Sequence, residues 1–476
     1  MSLARKTTKA VAWQLFARGA ERGLKFLSAV ALARLLAPDD FGRFATALVL
    51  VSVIETLSFL GVEQAIIQSR RGDEPRFLAA ALRMTILRGF AVAAFVAALS
   101  PIAGWYSEDH AVTVIALVVA VSPAVVGFTN PWVAARRKAL DFRVYSVAAV
   151  VGGAAQVAAS LACAWMGLGA LSLAIGIVAT SAATVATGWM LARGPLDFTR
   201  DSEARTELRG FARKAVGMPF VLALCNEAPT FVLARMADLA TVGTYGLARR
   251  LCSLPTEVAL PILGTVLAPA YASMRDEPDR IRQTWLFALG CVPLITVPAV
   301  AGAVVLDERL PAFIFGSDYA GSAGLVSLLG VVALVNALTG CCGPLFWGLG
   351  RPQFDRMQIG IRLACIAAGS VPLTARWGAT GLAGSIAIGQ VAALLYALRH
   401  ARIIACASRR EVLQALAPAA LYGGIAMSAM WSTDRLLERL NLPEAARVLS
   451  VGAETAAGMA LAAVWILRAR RKGARS

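Results

Sequence analysis

Residues 42–66 read GRFATALVLVSVIETLSFLGVEQAI, and this stretch decides the class of fold. It is an apolar run with a carboxylate, Glu55, deep within it, at about 18 to 22 Å of helix from the basic residues on either side, Arg43 and Arg70. About 20 apolar residues cross a hydrocarbon core of about 30 Å. An ionisable group at that depth costs roughly 2.5 to 3.5 kcal/mol and persists where it faces a protein-lined aqueous cavity and has a task. The stretch therefore reads as a membrane helix of a transporter.

The same length criterion, applied to the whole chain, finds fourteen segments, near 11–36, 42–66, 79–101, 111–134, 145–166, 168–192, 212–236, 242–269, 285–306, 321–348, 359–376, 379–401, 413–431 and 448–468. Composition agrees, with 58% hydrophobic and 16% charged residues, against about 25% charged in an ordinary soluble domain. The formal net charge of +17 lies mostly in alternate short loops, such as Arg70 with Arg71 and Arg136 with Arg137 and Lys138. The intervening loops hold acids such as Glu108, Asp109, Asp307 and Glu308. That pattern places both chain ends in the cytoplasm and argues against nucleic-acid binding. The basic start, Met1 to Lys9, lacks a short apolar core with a cleavage site, so no cleaved signal peptide is expected. The eight cysteines lack metal-ligand spacing and read as small buried hydrophobes, so neither a metal nor a cofactor is expected.

The chain repeats itself. Leu32-Ala33-Arg34 followed by Gly42 and Phe44 recurs as Leu233-Ala234-Arg235 followed by Gly243 and Tyr245, at a constant offset of about two hundred residues. Duplication of a six-span unit in parallel orientation is a common transporter design, with the binding site between the halves. The expected fold is all-α and polytopic, with two pseudo-symmetric six-helix lobes at 1–192 and 212–402, joined by a cytoplasmic linker at 193–211. An added helix pair, spans thirteen and fourteen, and a basic tail occupy 403–476.

Span one needs Arg18, Glu21 and Arg22 to reach membrane length, and with Lys25 they form a basic stripe on one face. Two readings stand: a wall of the transport cavity, or an amphipathic helix on the cytoplasmic surface. Asn226 and Glu227 lie deep in span seven between Pro219 and Pro229, which mark a hinge or a plain kink. Arg249 and Arg250 in span eight either line the cavity or snorkel to the interface. The same choice applies to Arg83, Arg88 and Arg362. Arg18, Arg22, Lys25, Arg249 and Arg250 are the candidate substrate-binding residues, because arginine forks suit phosphate oxygens. Glu21, Glu55 and Glu227 are the candidate coupling or charge-partner residues.

Leu35-Leu36-Ala37-Pro38-Asp39-Asp40-Phe41-Gly42, running on to Gly61-Val62-Glu63-Gln64-Ala65-Ile66-Ile67-Gln68, resembles the start of bacterial polysaccharide flippases of the Wzx type. These belong to the superfamily of multidrug, oligosaccharidyl-lipid and polysaccharide exporters. Arg136 to Phe142 is similar to the basic loop after span four in the colanic-acid branch. One departure is Phe59, where many relatives carry an acid, although Glu55 keeps one a turn earlier. The resemblance implies two six-helix lobes in a V shape in the inner membrane. It implies a substrate that is an undecaprenyl-diphosphate-linked oligosaccharide, moved to the periplasmic leaflet, with a polysaccharide polymerase and a chain-length regulator as partners. Alternatives are a cation-coupled drug or metabolite antiporter, a peptidoglycan-precursor flippase, and a membrane enzyme such as an O-antigen polymerase, which would need a larger exterior loop than any here.

Overall fold

Hydrophobic length alone predicts helices, and helices are what the chain forms. The computed structural model describes residues 19–473, apart from 140, 200, 216, 217 and 321–323, and contains no strand among them. The chain clusters into two units, residues 1–243 and 244–476.

Unit 1 starts with α1 (19–33). It continues with α2 (Pro38–Leu57), α3 (Val62–Gln68), α4 (Pro75–Tyr106), α5 (His110–Gly127) and α6 (Pro131–Lys138). Then come α7 (Arg143–Trp165), α8 (Leu171–Leu191), α9 (Ser202–Ala215) and α10 (Met218–Met236). α11 (Leu239–Ser273) leads into unit 2, which continues with α12 (Pro278–Leu306), α13 (Arg309–Phe315), α14 (Leu325–Gly340) and α15 (Gly343–Gly348). The last three helices are α16 (Gln353–Ile404), α17 (Arg409–Arg439) and α18 (Glu444–Gly473).

Among the described residues, ten helical segments are long and apolar enough to cross a membrane. One of them, α16, contains the two spans expected at 359–376 and 379–401, separated where Trp377 and Gly378 leave helical geometry. Three further expected spans fall on α1, α10 and α11, which are not among the ten.

The helix ends follow local chemistry. α2 starts with Pro38 at its first turn, where a missing N–H costs nothing, and with Asp39 and Asp40 at the positive end of the helix dipole. α17 opens on a reciprocal cap: the Ser408 hydroxyl accepts from the Glu411 N–H at 3.1 Å, and the Glu411 carboxylate accepts from the Ser408 N–H at 2.7 Å.

Unit 1 is built from antiparallel helix pairs, α4 with α5 and α7 with α8, around a core of Ala47, Val51, Val92, Val96, Ile115 and Val119. The repeat glycines meet inside this unit. A Cβ on Gly42 would collide with the Leu239 carbonyl, and a Cβ on Gly243 would collide with the Pro38 carbonyl. Pro38 and Leu239 are themselves equivalent positions of the repeat. The contact is thus reciprocal, as in a two-fold related pair, and side chains of any size are excluded from it.

In unit 2 the core is Tyr271, Trp285, Leu289, Leu345 and Phe346, with Cys341 and Cys342 fully buried among them. α17 and α18 pack against α12. Asp434 of α17 ties this pair to α13: its two oxygens accept from Arg309 at 3.1 and 3.0 Å and from Arg447 at 3.0 Å each.

Candidate functional site

Two of the expected membrane spans in unit 1 are broken, and the breaks face each other across a cavity. Span two stops at Leu57 and restarts at Val62. The turn needs Gly61, whose φ of 60° lies in the left-handed region that side chains disfavour. The end of α2 leaves backbone carbonyls without intrahelical partners, and Arg88 of α4 supplies them. Its Nη2 donates to the Glu55 carbonyl at 2.8 Å, and its Nε donates to the Ser58 carbonyl at 2.7 Å and to the Ser58 hydroxyl at 3.2 Å. A guanidinium at the negative end of a helix is favourable on both counts.

Span four stops at Gly127, whose carbonyl accepts from the Thr85 hydroxyl at 2.9 Å. It restarts at Pro131 behind Asn130 as cap. The Asn130 side chain accepts from the Trp132 N–H at 3.0 Å and donates to the Ala192 carbonyl at 2.6 Å, which pins the break to the end of α8. The short helix α6 ends in Arg136, Arg137 and Lys138. Arg137 pairs with Glu63 of α3 and lies 4.4 Å over the Tyr145 ring, while Lys138 pairs with Asp73 at 2.9 Å. The two short helices are therefore fastened to each other.

Between the breaks lies a cavity of about 430 Å³. Its charged lining residues are Glu21, Glu63 and Arg88, and Thr85, Asn130 and Thr184 are among its polar ones. Irregular backbone at membrane depth is tolerated where it is buried in protein or lines a watery cavity. Unit 2 holds a smaller cavity of about 210 Å³ with an almost wholly apolar wall that includes Leu251, Val300 and Leu306. Among the described residues no group of three or more His, Cys, Asp or Glu is arranged to hold a metal.

The candidate site residues divide on this geometry. Glu21 lines the unit 1 cavity and bonds Lys25 at 2.6 Å, one turn along α1. Arg22 is half-buried on the same helix, and Arg18 lies outside the described residues. Glu55 is half-buried on the last turn of α2, with Arg88 as the charge acting on it. Glu227 is half-buried on α10 and is not part of the cavity wall; Arg249 and Arg250 are half-buried within the continuous α11.

Of the arginines with two readings, Arg88 turns inward to the break. Arg83 lies over the Phe198 ring and donates to the Phe198 carbonyl. Arg362 donates to Gln390 at 3.4 Å, inside unit 2. Sequence reasoning missed Arg88 as a fixed part of the site, the Glu63–Arg137 pair, and both breaks. The signals were present in Gly61 and in Asn130-Pro131, a cap residue followed by the residue favoured at a first helical position.

Comparison with known proteins adds the lineage. The chain is 23% identical over 352 residues to the succinoglycan biosynthesis transport protein ExoT of Rhizobium meliloti (strain 1021), covering 73% of this chain and 70% of that one. It is 25% identical over 355 residues to the lipopolysaccharide biosynthesis protein WzxC of Escherichia coli (strain K12), covering 74% and 72%. Among solved structures, the lipid II flippase MurJ in an inward closed conformation matches with a TM-score of 0.76 at 12% identity, covering 96% of this chain and 99% of that one. Such a likeness establishes the fold: a multi-pass helical membrane protein. Residues 31–324, well over half of the sequence, match the family described as polysaccharide biosynthesis protein, and the chain belongs to that family.

Proposed function

We propose that this protein is a flippase for surface polysaccharide synthesis. It carries an undecaprenyl-diphosphate-linked oligosaccharide from the cytoplasmic to the periplasmic leaflet of the inner membrane by alternating access. It is a transporter and performs no covalent chemistry. The observation that carries this reading is the family match, which is supported by similarity to a transport protein of succinoglycan biosynthesis and to a protein of lipopolysaccharide biosynthesis.

The geometry adds a physical rationale. Moving such a lipid requires shelter for the hydrated head group alone, since the polyprenyl tail stays in hydrocarbon. A cavity bounded by two broken membrane helices and holding Arg88 and Glu21 offers polar shelter at membrane depth. In this proposal Arg18, Arg22, Lys25, Arg249 and Arg250 hold the diphosphate oxygens. Glu21, Glu55 and Glu227 act as charge partners or proton relays. A dianionic head group leaving a negative-inside cell gains about 4 to 5 kcal/mol per 100 mV, so the membrane potential suffices as a driving force. Both chain ends face the cytoplasm, and a polymerase and a chain-length regulator take the product.

The MurJ-like fold favours one second reading, a flippase for a peptidoglycan precursor. Deleting the gene separates the two. Loss of a surface polymer with cells that keep their shape supports the proposal, whereas lysis with an intact polymer supports the second reading.

A further inference from the structure

The linker between α8 and α10 folds into an amphipathic helix, α9, whose three faces do different things. Ala204, Leu208 and Ala212, four apart, are buried, and the first two join a core with Phe77 and Leu78 of α4 and Val62 and Ile66 of α3. On one flank Glu203 reaches Arg71 at 3.6 Å. Asp201, which caps the helix by accepting from the Ala204 N–H at 2.9 Å, bonds the same arginine at 2.5 Å. The apolar face and the acidic end therefore fasten α9 to unit 1.

The other flank is different. Arg205, Arg209 and Arg213, again four apart and rotated by about 100° from the buried stripe, are all exposed. Among the described residues no carboxylate pairs with any of them. Like charges at this spacing repel along a helix, so the stripe is unfavourable in isolation. Two residues separate α9 from α10 in the chain, on which the seventh expected span falls, and with that span in the membrane the stripe lies at the edge of the bilayer. A rigid row of guanidinium groups beside a membrane is complementary to the phosphate layer of anionic lipids.

We infer that α9 is an interfacial helix whose Arg205, Arg209 and Arg213 dock onto anionic phospholipid headgroups of the adjoining leaflet. Each basic residue near an anionic surface strengthens attachment by about 5-fold, and three by about 100-fold. The docking ties the linker to lipid composition and is independent of which molecule the protein transports.

The test is amide hydrogen exchange of the full chain in nanodiscs of phosphatidylcholine, with and without phosphatidylglycerol. α9 should exchange more slowly in the anionic discs, by up to about 100-fold, with α4 unchanged. The R205Q/R209Q/R213Q variant should lose that gain, and the corresponding triple lysine variant should keep most of it. Equal exchange in both lipids, or an undiminished gain in the glutamine variant, overturns the inference. So does equal protection in zwitterionic discs on addition of inorganic diphosphate, which would make a soluble phosphate the ligand.

Discussion

Replacing Arg88 with alanine should both destabilise the protein and abolish transport, and the structure sets the size of the first effect. Arg88 supplies the Glu55 and Ser58 carbonyls at the break in span two; the Glu55 carbonyl also accepts from the Ser58 hydroxyl at 2.9 Å, so the Ser58 carbonyl is the one left without a donor. An orphaned buried polar group costs about 1 to 3 kcal/mol. The adjoining cavity carries polar groups and is large enough for water to offset part of that loss, which leaves about 1 to 2 kcal/mol. Arg88→Lys keeps the charge but reaches one carbonyl, so it should cost about half as much. The assay is unfolding of the purified full chain by SDS titration, paired with recovery of the surface polymer in a deletion strain. If Arg88→Ala lies within about 0.5 kcal/mol of wild type, the range of an ordinary surface substitution, then Arg88 does not hold the break and the reasoning fails.

Further expectations follow from other contacts. Asp434→Ala leaves Arg309 and Arg447 facing each other without their shared carboxylate, and should cost about 3 to 5 kcal/mol in the same titration; a loss below 1 kcal/mol, roughly that of a surface pair, would contradict the clamp. Gly42→Ala and Gly243→Ala each push a methyl into the opposing backbone carbonyl, and should each cost about 1 to 3 kcal/mol, with no added penalty in the double variant if the two turns separate as one. Near the linker, Arg76 bonds Asp197 at 2.7 Å and, with the Thr199 N–H, lowers its pKa to about 2. A carboxyl depressed from its usual value of about 3.9 contributes stability at neutral pH, and that contribution disappears as pH falls from about 4 towards 2. Limited proteolysis around residue 197 should therefore rise over that interval in wild type and be pH-independent there in Asp197→Asn.

Much of the architecture was legible in the amino-acid sequence because it rests on length and average hydrophobicity. Among the described residues the expected spans fall on helices, with spans two and four each broken in two, and the division of 359–376 from 379–401 reappears as the non-helical pair Trp377 and Gly378. The repeat was legible too, and its glycines proved to be the surfaces of a reciprocal contact. The breaks were not, because a hydropathy window averages through Ser58–Gly61 and Phe128–Asn130 without registering that the backbone turns there. Glu55 was recognised as a charge at depth, but its neighbour Arg88 comes from a different helix and was free to read as a snorkelling residue. Destinations of long side chains depend on which carbonyls the tertiary fold leaves open, and spacing along one helix does not encode that. Glu21 lies on the cavity wall one turn from Lys25, and its role, like those of Arg249, Arg250 and Glu227, remains part of the proposal.

The central claim is that this protein carries a diphosphate-linked glycan across a bilayer, and reconstitution tests it most directly. Purified protein would be placed in liposomes carrying a fluorescent undecaprenyl-diphosphate oligosaccharide, with an impermeant reagent reporting which leaflet holds the sugar. The account predicts protein-dependent translocation that is lost in Arg88→Ala and accelerated by a potential that drives anions in the transport direction. Translocation no faster than in empty liposomes, with intact protein and the matching glycan, would contradict it.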